Sequence, residues 1–241
     1  MLKLEMMPPK TRQVFELLAS GPALSQFVLV GGTALSIQIG HRLSEDLDFC
    51  LFADSLEDTN IDDLIAKMSS LHQVVLMTSA SKITQAKING VNLLEQSRDY
   101  LVDGVKVTFF ARNDTAYRYF SGLEKIKDPS VAFPIMAAPS IFAMKAWLLQ
   151  KRIKSRDLFD LMQFVQSGLA PFDAIFAKAR EADVAIYSEE LIKNVLMGVV
   201  PVDSDDEGFD SIGLRISLGQ IYQYFSEQVN YFEVDQVRRP L

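Results

Sequence analysis

The chain has 241 residues, 49% of them hydrophobic and 23% charged, a composition that supports a folded core and excludes a disordered tail protein or a cysteine-stapled mini-protein. With 24 basic against 31 acidic side chains the net charge is −7 and the isoelectric point near 4.9, so no overall positive field draws in nucleic acid, and any such contact must use a local patch. The single cysteine, Cys50, cannot form an internal disulfide, the opening MLKLEMMPPK lacks the pattern of a secretion signal, and charges interrupt every long apolar run. A cytoplasmic protein with no membrane contact is the expectation. Two histidines, His41 and His72, and one cysteine argue against a zinc site, and GxSxG, GxxxxGK[ST] and GxGxxG are all absent. Any metal must therefore be held by carboxylates.

A helix begins at Pro8 or Pro9, runs through Val14, Phe15, Leu17 and Leu18, and stops before Gly21-Pro22. Phe27 to Val30 reads as a buried strand that breaks at Gly31-Gly32, with Thr33 capping a short helix from Ala34 to Ile39 that ends at Gly40. The segment from Asp46 to Phe52 alternates polar and apolar residues and reads as a second strand. A helix over about Ile61 to Leu71 and a strand at Gln73 to Met77 follow, and Ser79 to Lys87 is ambiguous. Asp103-Gly104 is a hairpin turn signal ahead of the alternating run Val105 to Phe110.

Beyond about residue 135 strand signals fade. Helical periodicity runs through Ser140 to Lys151, Arg156 to Gln166, Phe172 to Ala182, Glu189 to Met197 and Ser211 to about Val229. The chain thus divides into an α/β lobe, residues 1–134, and a helical lobe, residues 135–241. The acidic run Asp203-Ser204-Asp205-Asp206-Glu207 reads as a solvated connector.

Two local patterns can carry chemistry. At Val30-Gly31-Gly32-Thr33 a strand stops at two glycines and turns into a helix, which aims bare N–H groups and the positive helix end at one spot. That junction is either a structural turn or a phosphate cradle. In Asp46-Leu47-Asp48-Phe49 the acids share one strand face, ~6–7 Å apart along the chain. The face is either simply solvated or holds a hard cation such as magnesium, bridged to phosphate oxygens. The 13-residue step from Thr33 to Asp46 fits one short helix and would bring both patterns to the same end of one sheet.

The stretch FVLVGGTALSIQIGHRLSEDLDF resembles the signature of the AbiEii/AbiGii family of nucleotidyltransferase-like toxins, within the polymerase-beta-type nucleotidyltransferase superfamily. The resemblance implies an α+β fold, a nucleotidyltransferase-type mixed sheet with flanking helices followed by a C-terminal helical lobe. It implies Gly31, Gly32 and Thr33 on nucleotide phosphates and Asp46 and Asp48 on magnesium. His41-Arg42-Leu43-Ser44 matches the family stretch before the acids, which adds Arg42 and Ser44 to the nucleotide-binding set; the other reading pairs Arg42 with Glu45 or Asp46. MKAWLLQKRIKSRDLFDL resembles the family's second block. On a helix from Ser140, Ile141, Lys145, Leu148 and Arg152 share a face, so Lys145 interrupts an apolar stripe. Lys145 either snorkels to water or reaches a cleft between the lobes and meets the triphosphate. Asp157 and Asp160 share a helix side, where they pair with Arg152, Arg156 or Lys154 or take part in catalysis.

One departure stands out. The superfamily generally places a third carboxylate on a neighbouring strand as the base, yet the outward positions of Val105 to Phe110 are Lys106, Thr108 and Phe110. Asp103, Asp157 or Asp160 then substitutes, Asp157 being favoured, or the protein is catalytically degenerate and acts by nucleotide or protein binding. The implied activity is magnesium-dependent transfer of a nucleotidyl group from a nucleoside triphosphate (NTP) to a hydroxyl of RNA, with tRNA as the narrower acceptor. The implied role is that of a toxin in a toxin–antitoxin or abortive-infection system with a cognate antitoxin.

Overall fold

A computed structural model of the chain describes residues 2–57, 59–90 and 92–238, with a break between two compact units at Ala138 and Pro139. The first unit contains α1 (Pro9–Ala19), β1 (Val28–Val30), α2 (Gly31–Ile39), β2 (Leu47–Leu51), α3 (Ile61–Ser69), β3 (Val74–Leu76), α4 (Ala80–Ile88), α5 (Leu93–Gln96), β4 (Ser97–Val102), β5 (Val105–Ala111), α6 (Thr115–Ser121), β6 (Lys125–Ile126) and β7 (Ile135–Met136). Its strands form one mixed sheet in the order β3-β4-β5-β2-β1-β7-β6, in which β2/β5 and β1/β7 run parallel and the remaining neighbours antiparallel.

The sheet's core follows from period-two alternation. In β5 every second residue, from Val105 to Ala111, is buried, and Leu29, Leu47, Phe49, Val107 and Phe109 turn the same way. Phe49 stacks on Phe109 at 5.5 Å and meets Phe133 edge-on at 5.0 Å, while Phe15 of α1 meets Phe133 at 5.6 Å. Each fully buried phenylalanine is worth ~1.5–3 kcal/mol of apolar burial. Gln38 in α2 fastens the sheet's far side: its amide nitrogen donates to the Met136 carbonyl at 2.8 Å, and its amide oxygen accepts from the Ala138 N–H at 2.8 Å.

Several elements depart from the sequence expectation. Helix α2 begins at Gly31, and Thr33 lies inside it without capping it. The ambiguous stretch after Ser79 is α4, whose first turn is capped by Ser79 Oγ accepting the Lys82 N–H at 3.3 Å. Strand β4 was not anticipated, because it opens with the polar Ser97-Arg98-Asp99. The hairpin turn is present, with Asp103 at φ 49° and Gly104 at φ 87°, the paired positive values of a type I′ turn.

The second unit contains α7 (Ala138–Leu148), α8 (Ser155–Gln166), α9 (Ala174–Ala182), α10 (Glu189–Leu196) and α11 (Leu218–Arg238); α7 starts one residue before the break. Phe142 packs on Phe164 at 5.0 Å, and Phe176 stacks on Phe232 at 4.8 Å. Helix α7 stops at Leu148, so Arg152 leaves the face it was expected to share with Lys145. The last helix starts at Leu218 instead of Ser211, since Gly213 at φ 67° ends a short 3-10 turn before it. The acidic run is a connector with Ser204, Asp205 and Glu207 exposed, and it is also tied down: Asp203 exchanges bonds with Ile153, and Asp206 Oδ1 accepts the Ser155 N–H at 2.9 Å. Among the described residues no helix is long and apolar enough to cross a membrane.

Candidate functional site

In the first unit, the antiparallel register of β1 on β2 sets Val30 opposite Asp48, which brings the glycine junction and the acid pair together. Gly31 has φ +74°, and a Cβ there would fall 2.6 Å from Asp48 Oδ2. Glycine is therefore required twice over, for the left-handed backbone and for the room that the carboxylate occupies beside the first turn of α2. Gly32 serves a different neighbour: a Cβ there would fall 2.7 Å from an Arg42 Nη2 and 3.0 Å from Ser44 Oγ.

The loop from His41 to Asp46 is fixed by short polar ties. The Thr33 hydroxyl donates to the Asp46 carbonyl and has Ser44 Oγ 2.9 Å away, Thr11 Oγ1 donates to the Glu45 carbonyl at 2.9 Å, and the Ser44 N–H donates to the Met6 carbonyl at 3.0 Å. Arg42 Nη1 donates to the Leu43 carbonyl at 2.9 Å. Thr33, Arg42 and Ser44 are all buried. Their side chains hold the loop that delivers the acids, and the Thr33 hydroxyl, expected on phosphate, is engaged by the Asp46 carbonyl and Ser44. Asp46, one residue before β2, and Asp48, within it, are half-buried.

Three residues line up across the sheet on the acid face. Asp48 of β2 pairs with Thr108 of β5, and Thr108 pairs with Asp99 of β4. Directly paired residues share a face, so Asp99 is a third carboxylate on the face of Asp48, two strand spacings or ~10 Å away at the backbone. The sequence reading missed it. A two-residue hairpin fixes its own register, and counting three back from Val102 and three forward from Val105 sets Asp99 opposite Thr108. Asp103, named as a possible substitute acid, is otherwise engaged: its carboxylate accepts the Gln73 N–H at 2.9 Å and meets His72 Nδ1 at 2.7 Å. The His72 bond, then the Gln73 N–H, hold it below the usual carboxylate range.

The residues present fit a magnesium ion. Mg²⁺ is typically bound by one or two carboxylates and completes its shell with water and substrate phosphates. Asp46 and Asp48 would be that pair, and no group of three metal-ligating side chains occurs among the described residues to form a closed cage.

The second unit holds a separate buried cluster. Lys145 is 4% exposed, which excludes snorkelling. Its ammonium pairs with Asp157 Oδ1 and, at 2.9 Å, with Asp160 Oδ2, both from α8. Arg152 adds a 3.3 Å contact to Asp157, whereas Lys154 and Arg156, also considered as partners, turn to the acidic run. Burial pushes the Asp157 carboxyl up, but Lys145 and then Arg152 outweigh it and hold the group below the usual range. A carboxylate engaged by two cations is a poor proton acceptor. Asp157, expected as the base, is held by both Lys145 and Arg152.

A family model described as the nucleotidyl transferase AbiEii toxin of a type IV toxin–antitoxin system matches residues 14–209. An uncharacterised protein of Aquifex aeolicus is 31% identical over 153 residues, 62% of this chain and 63% of that protein, so the match spans less than two thirds of the relative. Among solved structures, a candidate nucleotidyltransferase from H. pylori aligns at TM-score 0.49 and 15% identity over 95% of each chain. The nucleotidyltransferase toxin MenT4 of Mycobacterium tuberculosis aligns at TM-score 0.44 and 16% identity, over 91% of this chain and 86% of that one.

Proposed function

The chain belongs to the AbiEii family of nucleotidyl transferase toxins of type IV toxin–antitoxin systems, and from that membership we propose that it moves a nucleotidyl group from an NTP to a hydroxyl of RNA. The observation that carries this reading is the Asp48 carboxylate set against the left-handed Gly31 at the start of α2, with Asp46 two residues away. Helix N-terminal N–H groups favour phosphate oxygens, and a carboxylate pair beside them favours the cation that accompanies a triphosphate. The N–H groups of Gly31 and Gly32, in the first turn of α2, then grip the phosphates, with Arg42, Ser44 and Thr33 holding the loop in place.

Magnesium on Asp46 and Asp48 would activate the α-phosphate and offset charge on the leaving pyrophosphate. The acceptor oxygen forms a bond to the α-phosphorus, the bond to the β-phosphate oxygen breaks, and pyrophosphate leaves. The acceptor proton needs a base. Asp99 is the carboxylate on the Asp48 face that is suited to it, reached directly or through one water, and its presence favours an active enzyme over a degenerate one.

The family membership favours a cognate antitoxin as genetic partner, tRNA as the narrower acceptor, and the cytoplasm, where NTP and RNA are found, as the place of action. Incubating the protein with labelled NTPs, Mg²⁺ and total RNA tests the reading. Label should pass to RNA with the parent protein and fail to pass with Asp48→Asn. Transfer undiminished by Asp48→Asn would overturn it.

A further inference from the structure

The acidic run between α10 and α11 lies on the most basic stretch of the chain. Lys151-Arg152-Ile153-Lys154-Ser155-Arg156, which leads into α8, carries four cations in six residues. Asp203 joins it through backbone, its N–H donating to the Ile153 carbonyl at 2.9 Å, and its Oδ2 accepts the Ile153 N–H at 3.1 Å. Lys154 pairs with Asp205 and stands 3.9 Å from Asp203 Oδ2. Arg156 reaches Glu207 Oε2 at 3.0 Å, the Gly208 carbonyl at 2.9 Å and Ser211 Oγ at 2.6 Å. Asp206 Oδ1 accepts the Ser155 N–H at 2.9 Å, in the first turn of α8. Carboxylate oxygens thus sit where phosphate oxygens sit at a cation-flanked helix N-terminus.

Two further observations separate this arrangement from an ordinary structural loop. Ser155 is 1% exposed, yet its hydroxyl makes no hydrogen bond among the described residues, so a polar group in the same first turn is left unused by the acidic run. The layering is also one-sided: the Asp205 and Glu207 side chains are 82% and 60% exposed, whereas those of Lys154 and Arg156 are 21% and 16% exposed. Exposed ion pairs hold weakly and are screened by salt, so a denser polyanion can replace the outer acids while the cations beneath stay in place.

We propose that Arg152, Lys154 and Arg156, at the start of α8, form a binding surface for the phosphodiester backbone of RNA, and that Asp205 and Glu207 are its displaceable intramolecular occupants. The proposal rests on the reading of RNA as the acceptor class. It resolves how a chain of net charge −7 engages a polyanion: attraction is confined to one local surface, and self-masking leaves that surface closed to single small anions. Arg152, half-exposed and 3.3 Å from Asp157, joins this surface to the Lys145 cluster.

The test is RNA binding without nucleotide, by fluorescence anisotropy on the full chain with labelled tRNA. The parent is compared with Asp205→Asn/Glu207→Gln, with the equal-charge control Asp173→Asn/Glu227→Gln, and with Lys154→Gln/Arg156→Gln. The strap variant is expected to bind about fivefold tighter than the control, and the cation variant about tenfold weaker than the parent with a salt slope reduced by about two. Tightening no greater than in the control overturns the proposal, and that comparison stands even if the cation variant does not fold. Equal tightening on duplex DNA of the same length overturns the RNA assignment. Binding that follows this pattern in a protein that transfers nothing overturns the transferase reading alone; transfer to RNA with strap-insensitive binding overturns the surface alone.

Discussion

Gly31 and Asp48 compete for one volume: the carboxylate oxygen lies 2.6 Å from where a Cβ of residue 31 would stand. Gly31→Ala is expected to cost roughly 1–2 kcal/mol of stability through its left-handed backbone, and to displace Asp48 by enough to cut nucleotide transfer about 100-fold. Gly32→Ala meets only the movable ends of Arg42 and Ser44 and should cost less activity. Thermal unfolding and single-turnover transfer on both variants check this; an active, stable Gly31→Ala protein would detach the junction from catalysis.

Asp46→Asn and Asp48→Asn are each expected to abolish transfer while changing stability by no more than about 1 kcal/mol, since half-solvated acids contribute little to folding. Calorimetric titration of Mg²⁺ in the presence of a non-hydrolysable NTP should show a lost or weakened site in both. Retained metal binding in both would mean the cation is held elsewhere.

Asp99→Asn should lower kcat about 100- to 10,000-fold while leaving triphosphate affinity nearly unchanged, the range a removed general base gives. Because Thr108 stands between Asp99 and Asp48 in register, Asp99→Asn/Thr108→Asp should recover part of the loss. An Asp99→Asn enzyme with parental kcat removes it from the mechanism.

Lys145→Ala leaves Asp157 and Asp160 buried without their shared cation and should destabilise the protein by ~3–5 kcal/mol at pH 7. The pH dependence then reverses sign. In the parent, the Asp157 carboxyl sits below its ordinary value, so its contribution is present above that value and is lost only as pH falls through the lower folded one. In the variant, burial and the Asp160 charge raise it, so stability should increase as pH falls from 7 to 5. Denaturant midpoints across that range measure the difference, and a variant as stable as the parent at pH 7 would show that the lysine is not the counter-ion.

Which parts of the site could be read from sequence follows from how far apart their partners lie. Gly31, Gly32, Asp46 and Asp48 fall within 18 residues on strands joined by one short helix, so local pattern sufficed. Asp99 is 51 positions beyond Asp48 and meaningful only through two strand registers; its polar neighbours Ser97 and Arg98 also hid the strand that carries it. Lys145 stood out as a break in an apolar stripe, but periodicity gives a face and not a depth, and only the packing of α8 on α7 distinguishes burial from snorkelling. The acidic run showed its charge in the sequence, while its binding partner lies about 50 residues upstream.

The tie from Gln38 to Met136 and Ala138 sets an order in time. Strand β1, which ends at the glycine junction, pairs on one side with β2 nearby and on the other with Ile135, and its helix is fastened by groups 98 and 100 positions later. Closing so long a loop is slow and cannot precede synthesis of its far end. A nascent chain therefore leaves the ribosome for most of its first unit with the junction unclamped, and the proposed site is assembled only once translation has passed that point.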